Sequence, residues 1–192
     1  NGSLNNLDMP SLASIGGDFS ISGNAAAGVN MPLLTSIGAS LWLNGSNLQN
    51  LDGLSALTTI GYELGIWSSA LTSLNLTALT SIGHDFALST NESLVSVSLP
   101  ALVSVGSGGL EFYNLDAMTQ FSLPALTTVA GGFQFNDHAV LSSFDLSALT
   151  SVGAGGCLCE NPQLANASVQ ALVDQLVAGG FSGSFTVSGN LP

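Results

Sequence analysis

A sevenfold repeat is the feature of this 192-residue sequence that most constrains its fold. Each copy has an apolar residue, two small polar residues, an Ile or Val anchor and then a short alternating segment. Consecutive anchors are 22 to 24 residues apart, and they are Ile15, Ile37, Ile60, Ile82, Val105, Val129 and Val152. A period of this length is typical of a solenoid, because units that cannot bury their own apolar face must stack and share one core.

The segment after each anchor alternates apolar and polar residues, which predicts a short, half-buried strand. In the repeat around Ile82, for example, Phe86 and Leu88 flank Ala87. Stacked repeats would pair these strands into a parallel sheet with two inward columns. The first predicted column is Phe19, Leu41, Leu64, Phe86, Leu110, Phe133 and Cys157, and the second is Ile21, Leu43, Ile66, Leu88, Phe112, Phe135 and Cys159.

Three other columns predict the turns of each coil. Glycine follows six of the seven anchors, which indicates a corner whose backbone conformation disfavours a Cβ atom. A polar column nine residues past the anchor predicts stacked side chains that bond to turn backbone, and it comprises Asn24, Ser46, Ser69, Asn91, Asn114 and Asn161, with Asn136 slightly early. Apolar pairs before the anchors are often followed by proline, so we expect bends or short bridges at Leu74/Leu76, Val97/Leu99, Phe121/Leu123 and Phe144/Leu146.

The two ends of the chain differ from the repeats. Residues 1–162 are predicted to form the solenoid, and residues 163–192 a C-terminal cap. Val169, Leu172, Val173 and Leu176 follow i, i+3, i+4, i+7 spacing, which predicts an amphipathic helix over about 167–178, followed by a short strand. The first coil has no polar cap, so we expect a neighbour, an upstream domain or another copy to cover it.

The strand phrases resemble a known repeat family. Phe19-Ser-Ile-Ser-Gly-Asn24 and Phe86-Ala-Leu-Ser-Thr-Asn91 are similar to the L-x-L-x-x-N core of leucine-rich repeats. The Leu-Pro-Ala-Leu linkers resemble those of receptor L-domain-like and BspA-like secreted bacterial and fungal cell-wall proteins. The resemblance covers about 140 of the 192 residues. It implies a mainly β, single-domain, right-handed solenoid with a parallel sheet, about seven coils and a C-terminal capping helix, and a role in adhesion, surface or wall structure.

The charge composition restricts the partners. The chain has 12 Asp and Glu residues and no Lys or Arg, so its net charge is −12. A uniformly negative surface repels nucleic acids and anionic membranes. The missing basic residues fit avoidance of proteolysis or of basic chemistry, and equally a biased composition or a saline habitat. No apolar run is long enough to span a bilayer, and we expect an extracellular or cell-surface location with any export signal already removed.

Few residues could carry chemistry. Cys157 and Cys159 are interpreted as two buried thiols, with a disulfide between them as the alternative. His84 and His138 are interpreted as solvated turn residues. No known catalytic phrase occurs, so we predict no catalytic residue, no cofactor and no metal site.

Three candidate surfaces remain. Trp42, Tyr62, Trp67 and Tyr113 could form a contact patch for a sugar or a protein. A regular hydroxyl face resembles the face of ice-binding solenoids, and it comprises Thr35, Thr58, Thr80, Thr127 and Thr150. In a eukaryotic source some of the Asn-x-Ser/Thr sites would carry glycans, and these are Asn1, Asn44, Asn75, Asn91 and Asn166.

These features favour an extracellular structural or adhesive protein that acts by protein or glycan contact or by self-association, and not an enzyme. The first alternative is an ice-binding solenoid that uses the Thr/Ser face. The second is a polysaccharide-active enzyme that depends on a carboxylate such as Asp52 or Glu63.

Overall fold

In the computed structural model, which describes residues 6–23 and 28–192, the chain winds into about seven coils that stack along one axis. Each coil has three sides, and strands of successive coils pair in parallel. The predicted single-domain, mainly β solenoid with one C-terminal helix is confirmed.

The longest strands form the main sheet, whose eight members follow one another along the axis. They are Phe19–Ser22, Leu41–Asn44, Leu64–Trp67, Asp85–Ser89, Gly109–Tyr113, Gly132–Asn136, Gly156–Cys159 and Phe185–Thr186. Phe86, Leu110 and Phe133 are paired in register and have no exposed surface. The predicted inward columns are therefore correct through the sixth coil.

The last coil departs from the predicted columns. Gly156 pairs with Phe133 and Leu158 pairs with Phe135, so Cys157 and Cys159 lie on the outer side of the sheet, where they form a disulfide. The interpretation of two buried thiols was wrong. The reason is that the last long strand keeps the hydrogen-bond register of the strand before it, which places Gly156 in the inward column. The ring of Phe185 from the final strand packs beside Gly156.

The anchors form the second side, a sheet of seven two-residue strands. Each strand directs Ile or Val inward and Ser or Thr outward. The strands are Ser14–Ile15, Ser36–Ile37, Thr59–Ile60, Ser81–Ile82, Ser104–Val105, Thr128–Val129 and Ser151–Val152.

The third side is also a sheet in most coils, and the prediction of bends there was wrong. Ser73–Asn75, Ser96–Ser98, Gln120–Ser122 and Ser143–Asp145 form a four-stranded sheet, and Asn6–Asp8 pairs with Gly28–Asn30. A 3-10 helix, Asp52–Leu54, separates the two sheets. Pro100 and Pro124 lie in the turns beyond the strands, so their missing N–H groups interrupt no ladder.

Close stacking requires the glycines after the anchors from the second coil onward. A Cβ atom on Gly83 would overlap the backbone oxygen of Gly61, and Gly61 meets Gly38 in the same way. Positive φ occurs at a different corner, just after the main strand, so the expected conformational reason was wrong. The residues with positive φ at that corner are Gly23, Gly45, Ser68, Thr90, Asn114, Asp137 and Glu160.

A column of buried polar side chains follows that corner, as predicted for Ser46, Ser69, Asn91 and Asn161. Asn91 accepts hydrogen bonds from the backbone N–H and the hydroxyl of Ser69, and its amide donates to Ile66 O and Ser89 O. Asn114 and Asn136 are not in the column. Leu115 and the fully buried His138 take those positions, while Asn24 lies outside the described residues.

The C-terminal helix, Asn166–Ala178, covers the end of the core with Val169, Leu172 and Leu176. It begins one residue before the predicted start. The chain then returns to add its last strand to the main sheet. No helix in the described part of the chain is long and apolar enough to cross a bilayer.

Candidate binding face on the main sheet

The outer side of the main sheet, here called the main face, carries three of the four aromatic residues predicted to form a contact patch. Trp42 points outward from the second strand of the sheet, while Trp67 and Tyr113 end the third and fifth strands. Trp67 and Tyr113 occupy the same row, because both pair with Ser89 of the strand between them. Trp42, Trp67 and Tyr113 are all partly exposed, and we call them the aromatic platform.

Small residues and one hydrogen bond shape this platform. The six-membered ring of Trp67 lies over Gly65, where a Cβ atom would overlap the ring. The indole Nε1–H of Trp42 donates a 2.9 Å hydrogen bond to Glu63 Oε2. Gly65 and Ala87 follow Trp42 in the same row, so a low strip, covered at Gly65 by the Trp67 ring, separates Trp42 from Glu111.

Three carboxylates lie on or beside the platform: Glu111 is in the middle row, Asp85 begins its strand, and Glu63 lies just before its strand. Burial raises the pKa of Glu111, and the nearby charges of Asp85 and Glu63 raise it further. The pKa of Tyr113 is raised for the same reasons, first by burial and then by Glu111 and Asp85. The chain has no Lys or Arg to pair with these carboxylates, so the main face is an acidic surface with exposed rings.

Tyr62 does not belong to the platform. It lies at the corner before the third main strand, 49% exposed, and its ring stacks on His84 with the ring centroids 4.5 Å apart. His84 Nδ1 lies 3.8 Å from an oxygen of Asp85. His84 is partly exposed, as expected, whereas His138 is buried and its predicted solvation was wrong.

The predicted hydroxyl face lies along the edge before the anchor strands. Thr58 Oγ1 donates to Thr35 O at 2.8 Å, and Thr80 Oγ1 donates to Thr58 O at 2.9 Å. Thr35, Thr127 and Thr150 bond to the preceding coil in the same way. The hydroxyl protons therefore hold neighbouring coils together, and the surface presents the acceptor side of each oxygen.

The candidate glycosylation sites differ in access. Asn44 and Asn75 are exposed, on the main face and on the third side respectively. Asn44 pairs with Trp67, so a glycan there would lie beside the platform. Asn91 is fully buried with its amide bonded, Asn166 is the partly exposed first residue of the helix, and Asn1 lies outside the described residues.

Candidate catalytic carboxylates are not brought together. Asp52 lies in the 3-10 helix on the third side, whereas Glu63 lies beside the main face. Within residues 6–23 and 28–192 no group of three or more His, Cys, Asp and Glu residues could hold a metal ion.

Sequence reasoning did not identify Glu111, Asp85 and Gly65 as part of the face. The repeat spacing carried the signal, since Gly65 and Glu111 lie in the row of Trp42, and Asp85 begins the strand between those of Trp67 and Tyr113. To recognise these residues as part of the face, one needs the register of the strands, because the register determines which side chains are neighbours across coils.

The fold and the face together define a capped parallel β-solenoid with an acidic, aromatic outer surface. No protein-family model matches the chain, and no curated protein or solved structure is detectably similar to it.

Proposed function

We propose that this protein is an extracellular structural or adhesive repeat module that binds a glycan or a protein through its main face. The observation that carries the proposal is the aromatic platform, where Trp42, Trp67 and Tyr113 stay partly exposed on one side of the solenoid. Aromatic rings offer a large apolar surface together with a polar edge, which makes them frequent anchors at binding surfaces.

Two further observations support an extracellular location. The Cys157–Cys159 disulfide is typical of proteins that function in oxidising compartments. The absence of Lys and Arg removes the cleavage sites of trypsin-like proteases and any attraction to nucleic acids or anionic lipids.

The resemblance to leucine-rich repeats supports the same role. The repeat phrases that end at Asn91 and Asn161 place an asparagine in the buried polar column, where it bonds to turn backbone. We propose on this basis that the chain is related to the receptor L-domain-like and BspA-like surface proteins.

The first coil favours contact between copies as one form of adhesion. Its apolar residues Leu7, Met9, Leu12, Ile15 and Phe19 pack against the core but remain only partly buried. A second copy that covered these residues would extend the shared apolar core. Sedimentation velocity over a range of concentrations tests this self-association, and a monomer at every concentration contradicts it.

The proposal is tested by the binding of labelled protein to arrays of matrix and cell-wall glycans and proteins. We expect saturable binding that Trp67→Ala weakens by about tenfold, since an aromatic contact contributes roughly 1 kcal/mol beyond buried area. Tyr62→Ala removes an exposed ring outside the platform and serves as the matched control. Binding to no ligand, or equal losses in both variants, contradicts the proposal. Sugar release that Glu63→Gln abolishes would indicate the polysaccharide-active enzyme.

Ice binding is the second candidate function. The observation that favours it is the regular column of Thr residues, together with the outward Ser or Thr of each anchor strand. Hydroxyls of adjacent coils are about one strand spacing apart, roughly 4.8 Å, in a lattice that Val103 interrupts between Thr80 and Thr127. This function predicts thermal hysteresis that Thr58→Tyr or Thr80→Tyr abolishes. A freezing point equal to that of a buffer with the same osmolality rules it out.

A further inference from the structure

We propose that the main face binds one extended, uncharged β-1,4-linked polysaccharide chain that runs along the solenoid axis, across the strands, stacked on the aromatic platform. This inference rests on the proposed function and specifies its ligand. It is carried by the row positions of the aromatic residues, by the small residues between them and by the charge of the surrounding surface.

The row positions favour a ligand that is extended along the axis. Trp67 and Tyr113 lie in one row two strands apart, with Ser89 between them, so their backbones are separated by about 9.6 Å. In an extended β-1,4-linked chain each sugar advances by about one strand spacing, and alternate sugars turn the same way. Two rings placed two strands apart therefore meet two sugars that present the same face.

The small residues of the middle row let the rings lie low against the sheet. The Trp67 ring occupies the space over Gly65, and Ala87 is the next, uncovered position beside it. Trp42 is one coil before Trp67, and its hydrogen bond to Glu63 fixes one edge of its indole ring. From Trp42 to Tyr113 the platform spans three strand steps, about 14 Å, which matches roughly four sugars.

The charge of the face selects against acidic ligands. Glu63, Asp85 and Glu111 border the platform, and carboxylates are strong acceptors for sugar hydroxyls. No Lys or Arg is present anywhere in the chain to neutralise a uronate or a sulfate. A polyanionic glycan would therefore be repelled, whereas chains such as chitin or cellulose would not.

The experiment measures depletion of the protein from solution by insoluble chitin, cellulose and calcium alginate beads, using protein made without N-glycans because of Asn44. We expect binding to chitin or cellulose and none to alginate. Soluble β-1,4 oligosaccharides should gain affinity up to about four sugars and then level off. Trp67→Ala and Tyr113→Ala should each weaken binding by about tenfold.

Two controls separate contact from folding. Ala87→Ile adds bulk to the low strip with a side chain that favours strands, so it should block the polysaccharide while leaving the thermal midpoint near that of the unmodified protein. Tyr62→Ala should bind normally, since that ring lies off the platform.

The inference is overturned if neither polymer binds, if alginate binds best, if disaccharides bind as tightly as longer chains, or if Ala87→Ile binds normally. The arrays distinguish failure of this inference from failure of the proposed function. If the protein binds a different ligand in a way that depends on Trp67, the adhesive function stands and the polysaccharide inference fails. If nothing on the arrays binds, both fail.

Discussion

His138 occupies the position in the buried polar column that Asn91 and Asn161 hold in other coils. Its Nδ1 accepts the N–H of Leu115 at 3.3 Å, and its own N–H donates to Asn161 Oδ1. The Nδ1 acceptor requires a neutral ring with its proton on Nε2. Burial lowers the pKa of His138 to about 4.

We expect this histidine to make the fold sensitive to acid. In the unfolded chain His138 takes up a proton below its ordinary pKa of 6.5, whereas the folded protein resists protonation until about pH 4. Between these values the unfolded state binds more protons, so the free energy of unfolding falls as the pH falls, by about 3 kcal/mol in total. Urea denaturation at a series of pH values measures this loss.

The matched variants for this prediction are His138→Asn and His84→Asn. An asparagine at position 138 can bond as Asn91 and Asn161 do, and it cannot take up a proton in this range. The His138→Asn protein should therefore lose this part of the acid sensitivity, while His84→Asn should keep it because His84 is partly exposed. The same pH dependence in both variants would contradict the assignment.

At the scale of the elements, the corner glycines set how closely one coil approaches the next. A Cβ atom on Gly83 would overlap the backbone oxygen of Gly61, whereas a Cβ atom on Gly16 would meet nothing within 4 Å. We expect Gly83→Ala to lower the free energy of unfolding by about 1–3 kcal/mol, as overpacking does. Gly16→Ala should be neutral or slightly stabilising. Chemical denaturation of both variants measures these changes in the free energy of unfolding. Equal changes would mean that contact between coils is not the cause of the loss.

The elements also show how far the sequence predicts this fold. The anchors and the alternation predicted the main sheet because period-2 burial is a local property of the chain. In the last coil the inward column was misplaced by one residue. Hydrophobicity favoured Cys157, whereas the four-residue step from the anchor that most coils show favoured Gly156. The third side was missed because proline was taken to break the strands, when it lies just beyond them.

For the whole molecule, stacking joins the apolar residues of separate coils into one core. A single coil buries little apolar surface, yet the inward columns together form an apolar core about 34 Å long. This core contains stacked rings such as Phe121, Phe135 and Phe144. The net charge of −12 is spread over the outside of this rod. Charge repulsion of this kind favours solubility and opposes close approach of other polyanions.

The aromatic platform arises at this same scale. Trp42, Trp67 and Tyr113 are 25 and 46 residues apart in the chain, so no local pattern joins them. The exposed aromatics were identifiable from sequence because each fell at an outward position or at a strand end. Which of them share a face was not identifiable, since Tyr62 lies only two residues before the third main strand yet stacks on His84 at the corner.

By itself the sequence determined the period, the coil number, the inward columns of the first six coils and an acidic surface without Lys or Arg, because these depend on residue type and spacing along the chain. Only the tertiary structure decided which outward residues are neighbours, why Gly83 must be glycine, and that His138 lies in the core. The physical reason is that these properties depend on hydrogen-bond register between coils, and one residue of offset there moves a side chain from the core to the surface.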